Sequence, residues 1–321
     1  MTPEQVLRVA VPVLLGIAGA VLLDRLCSAR GLLPPGFRVP WRRALAGAVV
    51  AGLFALGVFA PLGSLGLSLE PDLTKITTPQ LFALHFLMLG TMGAWFLLGW
   101  AGVRAQPQPV PVPLPEPIDP GEDFSPLPSP PSPLPPAPPP MTLSRQFAAQ
   151  FGFRTPDVWR EIGLGLALGL GAWVVVLLAL MAVGGIVWAL GGQDAVPQSP
   201  PPMVPFIAGL PVLVRVLISL SAGVVEESFF RGFLQPRIGI LLSTAFFALA
   251  HLSYGQPFLL VGITLLSLIY SFFVKWRQNI WPAIAAHTLF DGVQLLVVVP
   301  SVVRLIQGTG AKTAAFLAGL L

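Results

Sequence analysis

The chain has 321 residues, of which 55% are hydrophobic and only 10% charged, with a mean hydropathy of +0.80. Soluble domains carry about 25% charged residues, so the surplus apolar surface here faces lipid and a cytosolic enzyme is excluded. The net charge of +4 bears on membrane orientation rather than on nucleic acid. A single cysteine, Cys27, excludes an intrachain disulfide or a cysteine-based zinc site.

A spanning helix needs about 20 mostly apolar residues. Three fit in the N-terminal third, over residues 6–23, 44–62 and 81–103. The first has the length of a signal peptide, but Asp24 and Arg25 crowd the cleavage region and two more spans follow, so it is expected to be retained. Between residues 107 and 140, 17 of the 36 prolines fall within 34 positions. Such a run cannot hold a helix and reads as an extended spacer. Beyond it, spans are expected over 159–190, from 211 onward, over 238–252, 257–274 and 279–299. The fold class is thus an all-α polytopic bundle of about eight spans. It divides into a membrane region over 1–104, a proline-rich linker over 105–145, a second membrane region over 155–300 and a tail over 301–321. The weakly apolar end, 313–321, is too short to span and belongs at the interface.

Basic residues orient the bundle. Arg25, Arg30, Arg38, Arg42 and Arg43 fall in one loop region, Arg104, Arg145, Arg154 and Arg160 flank the linker, and Lys275 and Arg277 precede the last span. The opposite loops offer only Lys75. The bias predicts an outside N-terminus and a cytoplasmic linker, in a plasma membrane of bacterial type. Gly163, Gly165, Gly169 and Gly171 in the fourth span predict close helix contacts. His85, alone in the third span, is assigned to packing or the interface.

From residue 205 to 299 there are only three carboxylates, Glu226, Glu227 and Asp291, together with His251 and His287. Ionisable groups at membrane depth are costly and face an interior cavity, which makes each a candidate for function. If the fifth span runs from Pro211 to Gln235 and stops at Pro236, Glu226 lies ~15 Å above the cytoplasmic turn, His251 ~20 Å up the returning helix and His287 ~12 Å up the last helix, counted from Asn279. The three then meet near mid-depth, and Arg215 moves to the outer interface, where it can snorkel. Glu227 and Arg231 are four apart and pair on one helical face, while Glu226 projects toward a different neighbour. His287 and Asp291 are also four apart. Carboxylates, histidines and a partnered arginine in a dry cavity are the ingredients for activating water.

These residues form three ordered motifs: Glu226-Glu227-Ser228-Phe229-Phe230-Arg231-Gly232, then Phe247 to His251, then Trp281-Pro282 leading to His287 and Asp291. In that order they resemble the CAAX protease and bacteriocin-processing family of intramembrane proteases, which includes the Ras-converting CAAX endopeptidase. The resemblance covers roughly residues 205–299. It implies a peptide-bond hydrolase with Glu226 as general base, His251 holding the attacking water, and His287 with Asp291 at the oxyanion. Arg231 would hold Glu227 and the helix geometry. Many members carry Asn where this chain has Asp291. An ionised Asp cannot donate to an oxyanion, so Asp291 is either protonated or, the preferred role, orients His287.

No cofactor is implied, and the partners implied are a peptide or protein substrate and membrane lipid, without nucleic acid. Three alternatives stay open. Glu226, His251 and His287 could form the two-histidine, one-carboxylate set of a hydrolytic zinc site, although H-E-x-x-H is absent. His251 and His287 could be axial haem ligands, which leaves EExxxR unexplained. A non-catalytic scaffold or bacteriocin-immunity protein would tolerate loss of the polar cluster.

Overall fold

A computed structural model describes residues 2–64, 76–103, 142–192, 203–252 and 257–309. Residues 105–141 of the proline-rich linker, Lys75, Arg104 and the tail over 313–321 lie outside the described residues.

No strand occurs among the described residues. Helix α1 (Pro3–Ala29) starts on a Thr2 capping box, in which Thr2 accepts from Gln5 N and the Gln5 side chain accepts from Thr2 N. Helix α2 (Pro40–Leu53) continues into a π turn over Phe54–Val58, and α3 (Ala83–Trp100) closes the N-terminal group. A short helix not expected from the sequence, α4 (Leu143–Gln150), leads into α5 (Val158–Gly191), which matches the expected fourth span to within a residue at each end. A second unexpected helix, α6 (Met203–Gly209), bends by 118° into α7 (Val212–Ser221). The latter runs on as a π-helix, Ala222–Leu234, and a last α turn, Gln235–Ile238. Helices α8 (Ile240–Ala250), α9 (Pro257–Arg277) and α10 (Trp281–Val293) follow, and α10 is prolonged through a π segment, Gln294–Val298, to Thr309.

Six of these helices are long and apolar enough to cross a bilayer, or seven if the bent α6–α7 pair is one span. The span expected over 238–252 is α8, which is apolar but has only 11 residues. At 1.5 Å per residue it reaches about 16 Å, half of a hydrocarbon core, too short to cross by itself. The chain is a multi-pass helical membrane protein.

Two of the expected boundaries differ. Pro236 does not end the fifth span, because it sits where the π-helix gives way to an α turn. The stop comes at Gly239, whose φ of 87° is open to glycine and costly for other residues. Arg215 is buried rather than snorkelling: its Nη1 donates to the Leu295 carbonyl at 2.9 Å, inside the π segment of the last helix.

Helix α5 packs on α10 through alternating glycines. A Cβ on Gly165 would stand 2.5 Å from the Pro282 carbonyl oxygen, and one on Gly169 would stand 2.7 Å from Ala286 Cα. Gly163 and Gly171 have nothing within 4 Å, so only two of the four expected glycines make close contacts. Gly165→Ala is therefore expected to cost about 1–3 kcal/mol by overpacking against backbone. Gly163→Ala should be neutral or stabilising by up to about 1 kcal/mol. Thermal unfolding of the two variants in detergent checks the contrast.

The N-terminal helices share a core with the second half of the chain. Phe54 and Phe246 meet edge to face at 5.0 Å between centroids, Trp95 and Phe233 at 5.1 Å, and Arg30 donates to the Arg237 carbonyl at 3.0 Å. Helix α3 thereby lies against the π-helix.

Candidate active site

The π-helix Ala222–Leu234 carries Glu226, Glu227 and Arg231, and nearly every residue on it is buried. Helices of this i→i+5 type occur mostly as short bulges at functional sites. Glu227 and Arg231 have fully buried side chains, and Arg231 Nη1 donates to Glu227 Oε1 at 2.9 Å. Arg231 Nη2 reaches the Ser267 carbonyl at 3.3 Å on α9, and its guanidinium lies 4.4 Å from the Phe247 ring centroid. The paired arginine expected from the spacing is thus present, locked by neighbours on two other helices.

His287 projects from α10, whose first turn is fastened by Asn279 Oδ1 accepting from Trp281 N at 3.1 Å. Its Nδ1 lies 2.8 Å from the same Glu227 Oε1 that takes Arg231. Its Nε2 is 3.6 Å from Asp291 Oδ2, beyond a normal hydrogen bond. Glu227 thus holds one nitrogen of the His287 ring, and Asp291, the residue expected to orient it, faces the other.

His251 is the residue that caps α8, with Nδ1 2.7 Å from the Phe247 carbonyl, one of the carbonyls a helix end leaves free. That bond turns Nε2 toward Glu226, 3.8 Å from Oε2. At that separation the two groups are not directly hydrogen-bonded. Glu226 itself is 8% exposed and points away from the Glu227–Arg231 pair, as expected.

Its other oxygen has a partner that sequence reasoning missed. His85, from α3, places Nε2 3.2 Å from Glu226 Oε1. The sequence offered a faint signal, since His85 stands three and seven residues before the buried Met88 and Met92. Helix α3 is apolar all round, which hides that stripe.

His85, Glu226, His251, His287 and Asp291 all line one cavity of about 400 Å³. Apart from Gln294, its remaining wall is mostly apolar and includes Leu84, Val176, Ile207 from α6, Ile218, Ile263 and Leu266. All four residues expected to act in catalysis therefore border one space, while Glu227 and Arg231 stand behind it. Among the described residues no three His, Cys, Asp or Glu side chains are grouped as a metal-ligand set. The two imidazole Nδ1 atoms of His251 and His287 are already engaged with Phe247 and Glu227.

Residues 208–293, which hold every one of these groups except His85, match the family described as type II CAAX prenyl endopeptidase Rce1-like. That segment is similar to the Rce1-like family. The resemblance carried by the three motifs is thereby borne out over the part of the chain that contains them, and the family is one of proteases. A curated relative, the uncharacterized protein YpbD of Bacillus subtilis (strain 168), is 30% identical over 79 residues. The match covers 24% of this chain and spans 42% of that relative's length. No solved structure matches the chain.

Proposed function

We propose that this chain is an intramembrane endopeptidase that hydrolyses a peptide bond with water activated by Glu226. The observation that carries this reading is the convergence of Glu226, His251, His287 and Asp291 on one cavity within the Rce1-like segment. In this reading a water sits between Glu226 Oε2 and His251 Nε2. Glu226 takes its proton as the water oxygen adds to the peptide carbonyl carbon. The oxyanion forms beside His287 Nε2, whose ring Glu227 holds from behind. Collapse breaks the C–N bond, and the proton held by Glu226 passes to the leaving amine. The products are a carboxylic acid and an amine, which the acid's remaining water-derived proton converts to carboxylate and ammonium, with no net redox change. The apolar cavity wall suits a substrate with an apolar or lipid-bearing segment near the cleaved bond.

The test uses purified full-length protein in proteoliposomes, with peptides bearing a farnesylated cysteine near the C-terminus and their unlipidated equivalents. Glu226→Ala and Glu226→Gln are expected to lower kcat by about 10²–10⁴-fold, the range of a positioned general base. Cleavage by Glu226→Ala at the wild-type rate would overturn the assignment. Because the donors are not grouped as a ligand set, cleavage is expected to survive EDTA. Loss in EDTA with recovery in zinc would replace the glutamate mechanism by a zinc-dependent one. An absorption band of haem in the purified protein would instead favour axial ligation by the histidines.

A further inference from the structure

The segment that matches the protease family ends well short of the N-terminal helices, yet one of them reaches the reacting carboxylate. His85 Nε2 lies 3.2 Å from Glu226 Oε1, with both side chains almost enclosed at 12% and 11% exposure. The other imidazole nitrogen, Nδ1, is buried and has no hydrogen-bond partner among the described residues. None of these residues therefore competes for the tautomer that carries its proton on Nε2, and Glu226 selects it. We infer that His85 is a positioning residue for Glu226, and that the N-terminal helices complete the site rather than merely anchor it. The inference rests on the endopeptidase reading.

A carboxylate has two equivalent oxygens and turns freely about its terminal bond unless something distinguishes them. Here the N–H of His85 occupies Oε1. Oε2 is left without a protein hydrogen bond and faces His251. The proton of the attacking water then has one destination, and the carboxylate plane is set before substrate arrives. Hydrogen bonds of this kind, made behind a reacting group, typically change activity by 10–100-fold when removed, as at metal sites. The placement of His85 is itself secured by packing. Met88 and Met92, on the same side of α3, are buried in the core shared with Phe229, Phe230 and Phe233 of the π-helix.

The experiment compares wild type, Glu226→Ala, His85→Phe and His85→Gln in the full chain, reconstituted with farnesylated peptides. His85→Phe keeps the ring volume and removes the donor, and is expected to lower kcat by about 10–100-fold with KM little changed. His85→Gln returns an N–H that can reach Oε1 and should recover most of that loss. A merely structural histidine would give no such split and no rescue by glutamine. Glu226→Ala inactive beside His85→Phe at the wild-type rate overturns the inference and leaves the proteolytic reading standing. No cleavage by wild type, or full cleavage by Glu226→Ala, overturns that reading and the positioning role with it. A double-mutant cycle in thermal unfolding, with His85→Phe and Glu226→Gln, reads the contact without any substrate. The Tm losses are expected to be non-additive, and strict additivity overturns the contact.

Discussion

Arg231→Met is expected to cost about 3–5 kcal/mol, enough to remove most of the folded protein from the membrane. Arg231 is among the largest fully buried side chains in the molecule, and its charge is balanced by Glu227, which is equally buried. Methionine fills much of the same volume, so the loss is electrostatic rather than steric. It strands a carboxylate whose Oε2 already has no partner and leaves Oε1 with His287 alone. It also releases the Ser267 carbonyl on α9 and the Phe247 face on α8. Glu227→Gln should be milder, at about 1–3 kcal/mol, because the amide oxygen still accepts from Arg231. Its activity should nonetheless fall, since Glu227 Oε1 is what holds the His287 ring. Thermal unfolding in detergent beside a cleavage assay checks both halves. Equal stability of Arg231→Met and wild type would show that the pair contributes no net support.

The Glu227–Arg231 pair was legible because a four-residue spacing brings side chains to one face whatever lies around them. The spans were legible for a similarly general reason, since long apolar runs admit few readings. Helix α5 shows this best, with Val158–Gly191 found where 159–190 was expected. Glu226, His251 and His287 line one cavity, although the arithmetic that expected them to meet assumed α geometry for a segment that is π-helical. Hydropathy carries no signal for i→i+5 bonding, so neither the wide turn nor the passage of the helix beyond Pro236 could be read from composition.

Long-range partnerships were the harder part. His85 and Glu226 are 141 residues apart, and no local spacing relates them. A lone histidine on an apolar helix gives no direction, because the helix has no polar face to contrast with it. Arg215 failed for the converse reason. A charge near a span end ordinarily reaches for water, but here the π segment Gln294–Val298 presents a carbonyl at Leu295 that accepts it. Asp291 illustrates a third limit. The i, i+4 relation brings it to 3.6 Å from His287 Nε2, but it gave no hint that Glu227, on another helix, holds the opposite nitrogen, Nδ1, at 2.8 Å.

Gly223→Ala should be more damaging to activity than its one added methyl group suggests. A Cβ at this position would stand 2.1 Å from Thr288 Oγ1 and 2.9 Å from both the Ile284 carbonyl oxygen and the Thr288 amide nitrogen. The threonine hydroxyl can rotate away, but the two backbone atoms cannot, so α10 has to move off the π-helix. Those contacts flank His287, which must keep its 2.8 Å approach to Glu227 across the same junction. The stability loss is expected to be about 1–3 kcal/mol, as for other overpacked positions. The catalytic loss should be larger in proportion, about 10²-fold in kcat, because misplacement of a reacting group by about 1 Å is enough for that. Thr288→Ala combined with Gly223→Ala relieves only the shortest contact and should restore only part of the activity. Gly292→Ala, on α10 and with nothing within 4 Å among the described residues, should leave stability within about 0.5 kcal/mol. Wild-type cleavage by Gly223→Ala would mean that the two helices tolerate separation, and that the reaction does not depend on His287 being held by Glu227.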